Sequence, residues 1–286
     1  MAAAWPTPGT GLESSLITVP GGALVHVVSA GPASGAPVLC VHGWGIHSYL
    51  WRKTLPALAA AGYRVHAIDL PGHGQSSLPA AGALTLDALT SHLVAVLDAL
   101  AIPRVAVLAQ SMGARVALEL ARRCPDRVTC LALFGAVGLG EAPALTPLAS
   151  RLPRPQTLPT TVFLRRWMVD IAKRFAYGSR GSFTDDDVDI YWRAAQRPGV
   201  IPALWQALAE FDWRVLDAAV LGGIAVPTLV IFGTRDRTVR PVGVESRVAA
   251  MPAASLRWVQ DAGHVVCEEA PDEVNPLLVE FLRAAR

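Results

Sequence analysis

The chain has 286 residues, 52% hydrophobic and 17% charged, enough apolar material for a full globular core and too much for a disordered chain. With 25 basic against 23 acidic side chains the formal net charge is +2, and no basic stripe with interleaved aromatics occurs. That balance excludes a nucleic-acid binder and points to a small, neutral or mildly anionic substrate. Cys40, Cys124, Cys130 and Cys267 have neither metal-ligand nor Cys-x-x-Cys spacing, so they read as buried free thiols of a reducing compartment. The opening Met-Ala-Ala-Ala-Trp-Pro has no charged or long apolar segment of a secretory signal, and the expected location is the cytoplasm.

In chain order, β-branched and apolar runs predict strands near Ser15 to Val19 and Ala23 to Val28, joined as an antiparallel hairpin through Pro20-Gly21-Gly22. Further strands are predicted at Val38 to Val41 and Arg64 to Ile68, then a helix at Thr85 to Leu100. The run Arg104 to Ala109 predicts a buried strand that leads directly into a helix over Met112 to Arg123, stopped by Pro125. After a strand at Val128 to Phe134 the alternation breaks. Pro143, Pro147, Pro153, Pro155 and Pro159 bar a helix interior, and helical segments without strands continue to about Arg214. The sheet resumes near Ile224, with strands at Val226 to Gly233 and Leu256 to Val259. This pattern predicts an α/β fold, a mostly parallel sheet flanked by helices, with an inserted helical cap. The expected division is core 1–138, cap 139–222 and core 223–286. The longest apolar stretch, Ala218 to Gly233, contains Gly222-Gly223 and Pro227, so it reads as a linker plus one buried strand, not a membrane span.

Ala109-Gln110-Ser111-Met112-Gly113 sets one serine among small residues at the strand-to-helix corner, where the turn projects its hydroxyl out of the sheet. Here the sequence resembles the α/β-hydrolase superfamily, whose nucleophile elbow reads Gly-x-Ser-x-Gly; Ala109 stands where that pattern has glycine. The resemblance implies that Ser111 is the nucleophile, Asp236 after the penultimate strand the acid, and His264 after the last strand the base, in the chain order Ser, Asp, His. The segment after Phe134, Gly135 to Gly138, holds no carboxylate that could replace Asp236.

Val38 to Gly45 runs a buried strand into His42-Gly43-Trp44-Gly45, which resembles the family's oxyanion loop. The resemblance implies that the backbone amides of Trp44 and Met112 face the developing oxyanion, worth roughly 3 to 4 kcal/mol each. His42 is expected to brace that loop, and His73, in the Asp69-Leu70-Pro71-Gly72-His73-Gly74 turn, to be a loop hydrogen-bonder. Trp44 and Trp51 are expected to wall the entrance. Trp44 and, from the cap, Trp167 are expected to touch substrate, drawn from a cap inventory that runs from Phe163 to Phe211.

His42-Gly43-Trp44-Gly45 with Trp51 is similar to the carrier-protein methyl ester esterases of biotin synthesis. Arg165, Arg166, Lys173 and Arg174 form either a solvated face balanced by Asp185, Asp186, Asp187 and Asp189 or a docking patch for an acidic carrier protein. The implied activity is hydrolysis of a carboxylic ester of a small or medium apolar substrate through an acyl-enzyme. Thioesters, lactones and carbon-carbon bonds on the same triad stay open, as does a small-molecule receptor with little turnover. A serine at position 111 argues against the epoxide hydrolases and haloalkane dehalogenases of this fold, which use aspartate. Without a metal cluster, a phosphate loop or a dinucleotide fingerprint in the sequence, no metal and no cofactor are expected.

Overall fold

A computed structural model describes residues 5–6, 9–142 and 164–285. Its sheet contains β1 (Glu13–Thr18), β2 (Leu24–Ala30), β3 (Ala36–Val41), β4 (Tyr63–Ile68), β5 (Val105–Gln110), β6 (Val128–Phe134), β7 (Thr228–Gly233) and β8 (Ala254–Val259). The strand order is β1-β2-β4-β3-β5-β6-β7-β8. β1 and β2 form the expected hairpin, β2 pairs antiparallel with β4, and every pairing from β4 onward is parallel. β5 and β7 are buried at every position, as strands covered on both faces must be, which is why they read as unbroken apolar runs.

Boundaries differ from the apolar pattern where ladder partners, not side-chain type, decide them. β1 begins at Glu13 because that residue pairs with Ser29, and β8 begins at Ala254 because that residue pairs with Thr228. Neither end carries a hydrophobic signal.

Helices α1 (Leu55–Ala60), α2 (Leu86–Ala99) and α3 (Met112–Arg123) cover the first half of the sheet. Thr85 caps α2 by accepting from the Ala88 amide at 3.2 Å. Between β6 and β7 come α4 (Arg166–Ala176), α5 (Asp185–Ala195), α6 (Val200–Glu210) and the short α7 (Ala218–Gly222), with no strand among the described residues. A capping box formed by Thr184 and Asp187 starts α5. α6 lies over the loop after β4: Gln206 Nε2 donates to the Ala80 carbonyl at 2.8 Å and an arginine just before it, Arg197, donates to that of Ser76 at 3.1 Å. Phe211, Leu216 and Leu221 pack into the same buried cluster as α2 and α3. The chain closes with α8 (Val244–Ala249), α9 (Val266–Glu269) and α10 (Pro271–Ala284). Among the described residues no helix is long and apolar enough to cross a membrane.

Trp51 is not at an entrance. It is fully buried, and its ring meets Phe134 edge-on at 5.7 Å, so it belongs to the core on the α10 side of the sheet. Cys40, Cys130 and Cys267 are buried free thiols as expected, while Cys124 is only partly buried. The proline-rich stretch 143–159 and Phe163 lie outside the described residues.

Candidate active site

Ser111 occupies a backbone conformation that side chains rarely adopt, φ +54° and ψ −116°, between the last residue of β5 and the first of α3. Such a position costs on the order of 1–3 kcal/mol and persists only where surrounding bonds overdetermine it. They do so here. The Ser111 amide donates to the Phe134 carbonyl at 2.9 Å, and its own carbonyl accepts from Ala114 at 3.1 Å and Val137 at 3.2 Å. Ala109, at the position where the family pattern has glycine, is fully buried in the core, so its methyl group is accommodated. Met112 is the first residue of α3, and its amide is one of those a helix leaves without an internal partner.

The loop after β3 presses against this corner. A Cβ on Gly43 would stand 2.3 Å from Gln110 Oε1 and 2.9 Å from the Ser111 Cβ, so only glycine lets the two backbones pass. The next residue, Trp44, is thereby carried to the wall of a cavity of about 420 Å³ that Ser111, Gln110 and His264 also line. Trp44 is 38% exposed, and its indole donates to the Leu204 carbonyl of α6 at 2.8 Å.

Across the cavity, His264 Nδ1 and Asp236 Oδ2 are 2.8 Å apart, both residues being buried. Asp236 Oδ1 accepts from the amides of Thr238 at 2.9 Å and Val239 at 2.8 Å, which orients the carboxylate. An ionised carboxylate only accepts, so the proton facing it is on Nδ1, and in the neutral imidazole Nε2 is then the acceptor. The His264 amide donates to the Ala176 carbonyl at 2.7 Å, tying the histidine loop to the end of α4. Gly135, at φ +49°, closes the pair from below. A Cβ there would lie 2.7 Å from His264 Nδ1 and 3.0 Å from Asp236 Oδ2.

His42, His73 and His26 have structural bonds. His42 Nε2 accepts from the Leu70 amide at 2.9 Å, which leaves the proton on Nδ1 to donate to the Gly43 carbonyl at 2.7 Å. Burial pushes its pKa down to about 3, so it is a neutral brace of the loop before Trp44. His73 Nδ1 meets the Pro71 carbonyl at 3.0 Å, and burial lowers its pKa to about 4. A second Ser, His and Asp are also joined. Ser14 Oγ and His26 Nε2 lie 2.9 Å apart, and His26 Nδ1 and Asp69 Oδ2 lie 2.8 Å apart. No spacing in the sequence announces that set; the β1–β2 register and the turn after β4 assemble it.

From the cap, α4 lines the cavity with Val169, Ala172, Lys173, Phe175 and Ala176, α5 with Tyr191 and α6 with Leu208. Trp167 is not among the lining residues and is 61% exposed. At about 100° per residue it stands about 160° around α4 from Val169, which points it to the opposite side. Lys173, which its neighbours in sequence mark as part of a solvated basic face, is instead buried, its Nζ 3.1 Å from Glu268 Oε2. Two others of that face are paired, Arg166 with Asp185 and Asp189 and Arg174 with Asp170. Sequence reasoning missed Glu268 as a cavity residue. Its only local mark is the position four residues after His264.

A family model described as alpha/beta hydrolase fold matches residues 36–271. The chain is 33% identical over 270 residues to the dihydrolipoyllysine-residue acetyltransferase component of the acetoin cleaving system of Pseudomonas putida, covering 92% of this chain and 68% of that one. It is 30% identical over 259 residues to the pimeloyl-[acyl-carrier protein] methyl ester esterase of Aromatoleum aromaticum, covering 86% and 98%. Some relatives are much longer: the chain spans 55% of the mouse bifunctional epoxide hydrolase 2. Among solved structures, the meta-cleavage product hydrolase of Pseudomonas fluorescens IP01 superposes with a TM-score of 0.79 at 24% identity, over 95% of this chain and 98% of the other.

Proposed function

The chain belongs to the α/β-hydrolase fold family, and from that premise we propose that it is a serine hydrolase of carboxylic esters with small or medium, largely apolar substrates. The observation that carries this reading is the His264–Asp236 pair, held at 2.8 Å and opening on the same cavity as the strained Ser111. Ser111 attacks the ester carbonyl while His264 Nε2 takes its proton. Asp236 keeps the imidazole in that tautomer and stabilises its charged form. The amides of Trp44 and Met112 receive the negative charge that develops on the carbonyl oxygen. The alcohol leaves with the proton from His264, and the same nitrogen then activates water to release the acid.

The division into core 1–138, cap 139–222 and core 223–286 belongs to this reading, with the cap roofing the cavity. Cytoplasmic residence belongs to it too, on the strength of four free thiols. Docking of an acidic carrier protein at the cap would follow the Aromatoleum relative, but Arg166, Lys173 and Arg174 are engaged with carboxylates of this chain, which favours a small free substrate.

The deciding experiment is hydrolysis of p-nitrophenyl esters from acetyl to decanoyl. Sustained turnover with a chain-length optimum, lost in Ser111→Ala, is the expected result. A single burst without turnover would replace this reading with a receptor, and turnover only on thioesters or lactones would change the bond attacked.

A further inference from the structure

Away from Gln110, Ser111, Thr238 and His264, the lining of the catalytic cavity is apolar except for one polar cluster. There Glu268, buried, accepts from Arg52 Nη1 at 2.6 Å and Tyr191 Oη at 2.6 Å through Oε1, and from Lys173 Nζ at 3.1 Å and the Tyr177 hydroxyl through Oε2. A carboxylate offers about four acceptor positions, and all are taken. Lys173 is in the opposite condition. Its ammonium has three N–H groups, of which one goes to Glu268, while the faces of Tyr191 at 4.5 Å, Tyr177 at 4.9 Å and Phe183 at 5.1 Å hold the charge without supplying a strong acceptor. Lys173 and Glu268 both line the cavity. The spare capacity in this cluster is therefore for donating hydrogen bonds.

The carboxylates here are held from several sides. Arg52 also bonds Asp187 at 2.7 Å, and the partly exposed Lys53 donates to the Glu268 backbone carbonyl at 2.8 Å. With Glu268 saturated by these donors, the cation that an entering anion would meet at the cavity wall is Lys173. The walls leading there are apolar, with Val137, Val169, Ala172 and Leu208 among them. A ligand that fits is a short aliphatic chain with a carboxylate at its far end.

We propose that Lys173 forms a carboxylate subsite in the catalytic cavity, so that the preferred substrates are esters carrying a free carboxylate a few methylenes from the scissile bond. This rests on the ester hydrolase reading above for the reaction but not for the binding. In a buried setting a charge-assisted bond is roughly twice as strong as a neutral one, so the preference should be about tenfold or more.

Two measurements test it. The first is kcat/KM of the wild type for mono-p-nitrophenyl glutarate against p-nitrophenyl pentanoate. The expected ratio is about 10 or above, and it should collapse to below 1 in Lys173→Met. Because that variant leaves Glu268 with one partner fewer, Lys173→Met/Glu268→Gln, which removes both charges, is measured beside it with its melting temperature. The second is calorimetric binding of monomethyl glutarate and dimethyl glutarate to Ser111→Ala, which needs no turnover. Tighter binding of the anionic monoester, lost with Lys173→Met, supports the subsite even if no ester is cleaved, in which case only the reaction assignment fails. Equal binding of the two glutarates, or Lys173 variants that depress both p-nitrophenyl esters alike, would overturn the subsite and leave the cluster as a tie between cap and core.

Discussion

Two sets of Ser, His and Asp side chains in this protein share the same hydrogen-bond connectivity between histidine and carboxylate, Nδ1 to Oδ2 at 2.8 Å in each. They differ in everything around it. Ser111 sits at a left-handed corner beside a cavity, at the carboxyl ends of parallel strands, with a helix start and a glycine loop packed against it. Ser14 sits within the exposed strand β1, its backbone in register with Val28, and its histidine, on β2, and aspartate, just after β4, are buried. Asp69 also accepts from the amides of Ser48 at 2.8 Å and Gln75 at 2.9 Å, so it ties β2, the segment after β3 and its own loop after β4 together. A hydrogen-bonded Ser–His–Asp chain is therefore not by itself the mark of a nucleophile. On the proposed reading, backbone geometry, free amides and a cavity are.

The comparison breaks if the wrong set proves to matter. Asp236→Asn should lower kcat on a p-nitrophenyl ester by about 10⁴, because the amide enforces the wrong imidazole tautomer. Ser14→Ala, assayed in parallel, should change it by less than about twofold. A severe loss in the Ser14 variant would move catalysis to the hairpin. Next in size, Gly135→Ala should cut turnover by about a hundredfold or more, since the added methyl collides with the His264–Asp236 pair and takes an unfavourable φ; an unaffected rate would show that the pair can shift freely.

Stability should rank the two regions the other way. Asp69→Ala leaves buried donors unpaired and should cost about 3 kcal/mol or more in denaturant unfolding, with Ser14→Ala below about 1 kcal/mol. Equal costs would mean the hairpin serine is itself structural. The smallest effect concerns pH. Burial alone would raise the pKa of Glu268, but the Lys173 and Arg52 cations and two tyrosine hydroxyls outweigh it and hold it at about 2. A carboxyl with a depressed folded pKa contributes stability above its unfolded value, about 4.3, and that contribution is lost as pH falls toward 2. Thermal unfolding between pH 5 and 2 should therefore steepen in the wild type and flatten in Glu268→Gln; identical slopes would remove Glu268 from the acid response.

From the amino-acid sequence alone, the alternation of apolar strands with helical periodicity, the small-residue corner at Ser111 and the order of Ser111, Asp236 and His264 at predicted strand ends were all legible. Each is a local signal: a strand, a turn and a helix start are written in consecutive residues. The sequence also identified His42 as a brace and Trp44 as a cavity residue. What it could not decide is which way a helix turns. Trp167 and Lys173 lie on one amphipathic helix, and only packing against Glu268, Tyr177 and Tyr191 sets the lysine inward and the tryptophan out. Trp51 reached the core and Ser14 met His26 for the same reason. Trp51 meets Phe134 far along the chain, and Ser14 meets His26 through the hairpin register, neither of which hydrophobicity alone specifies.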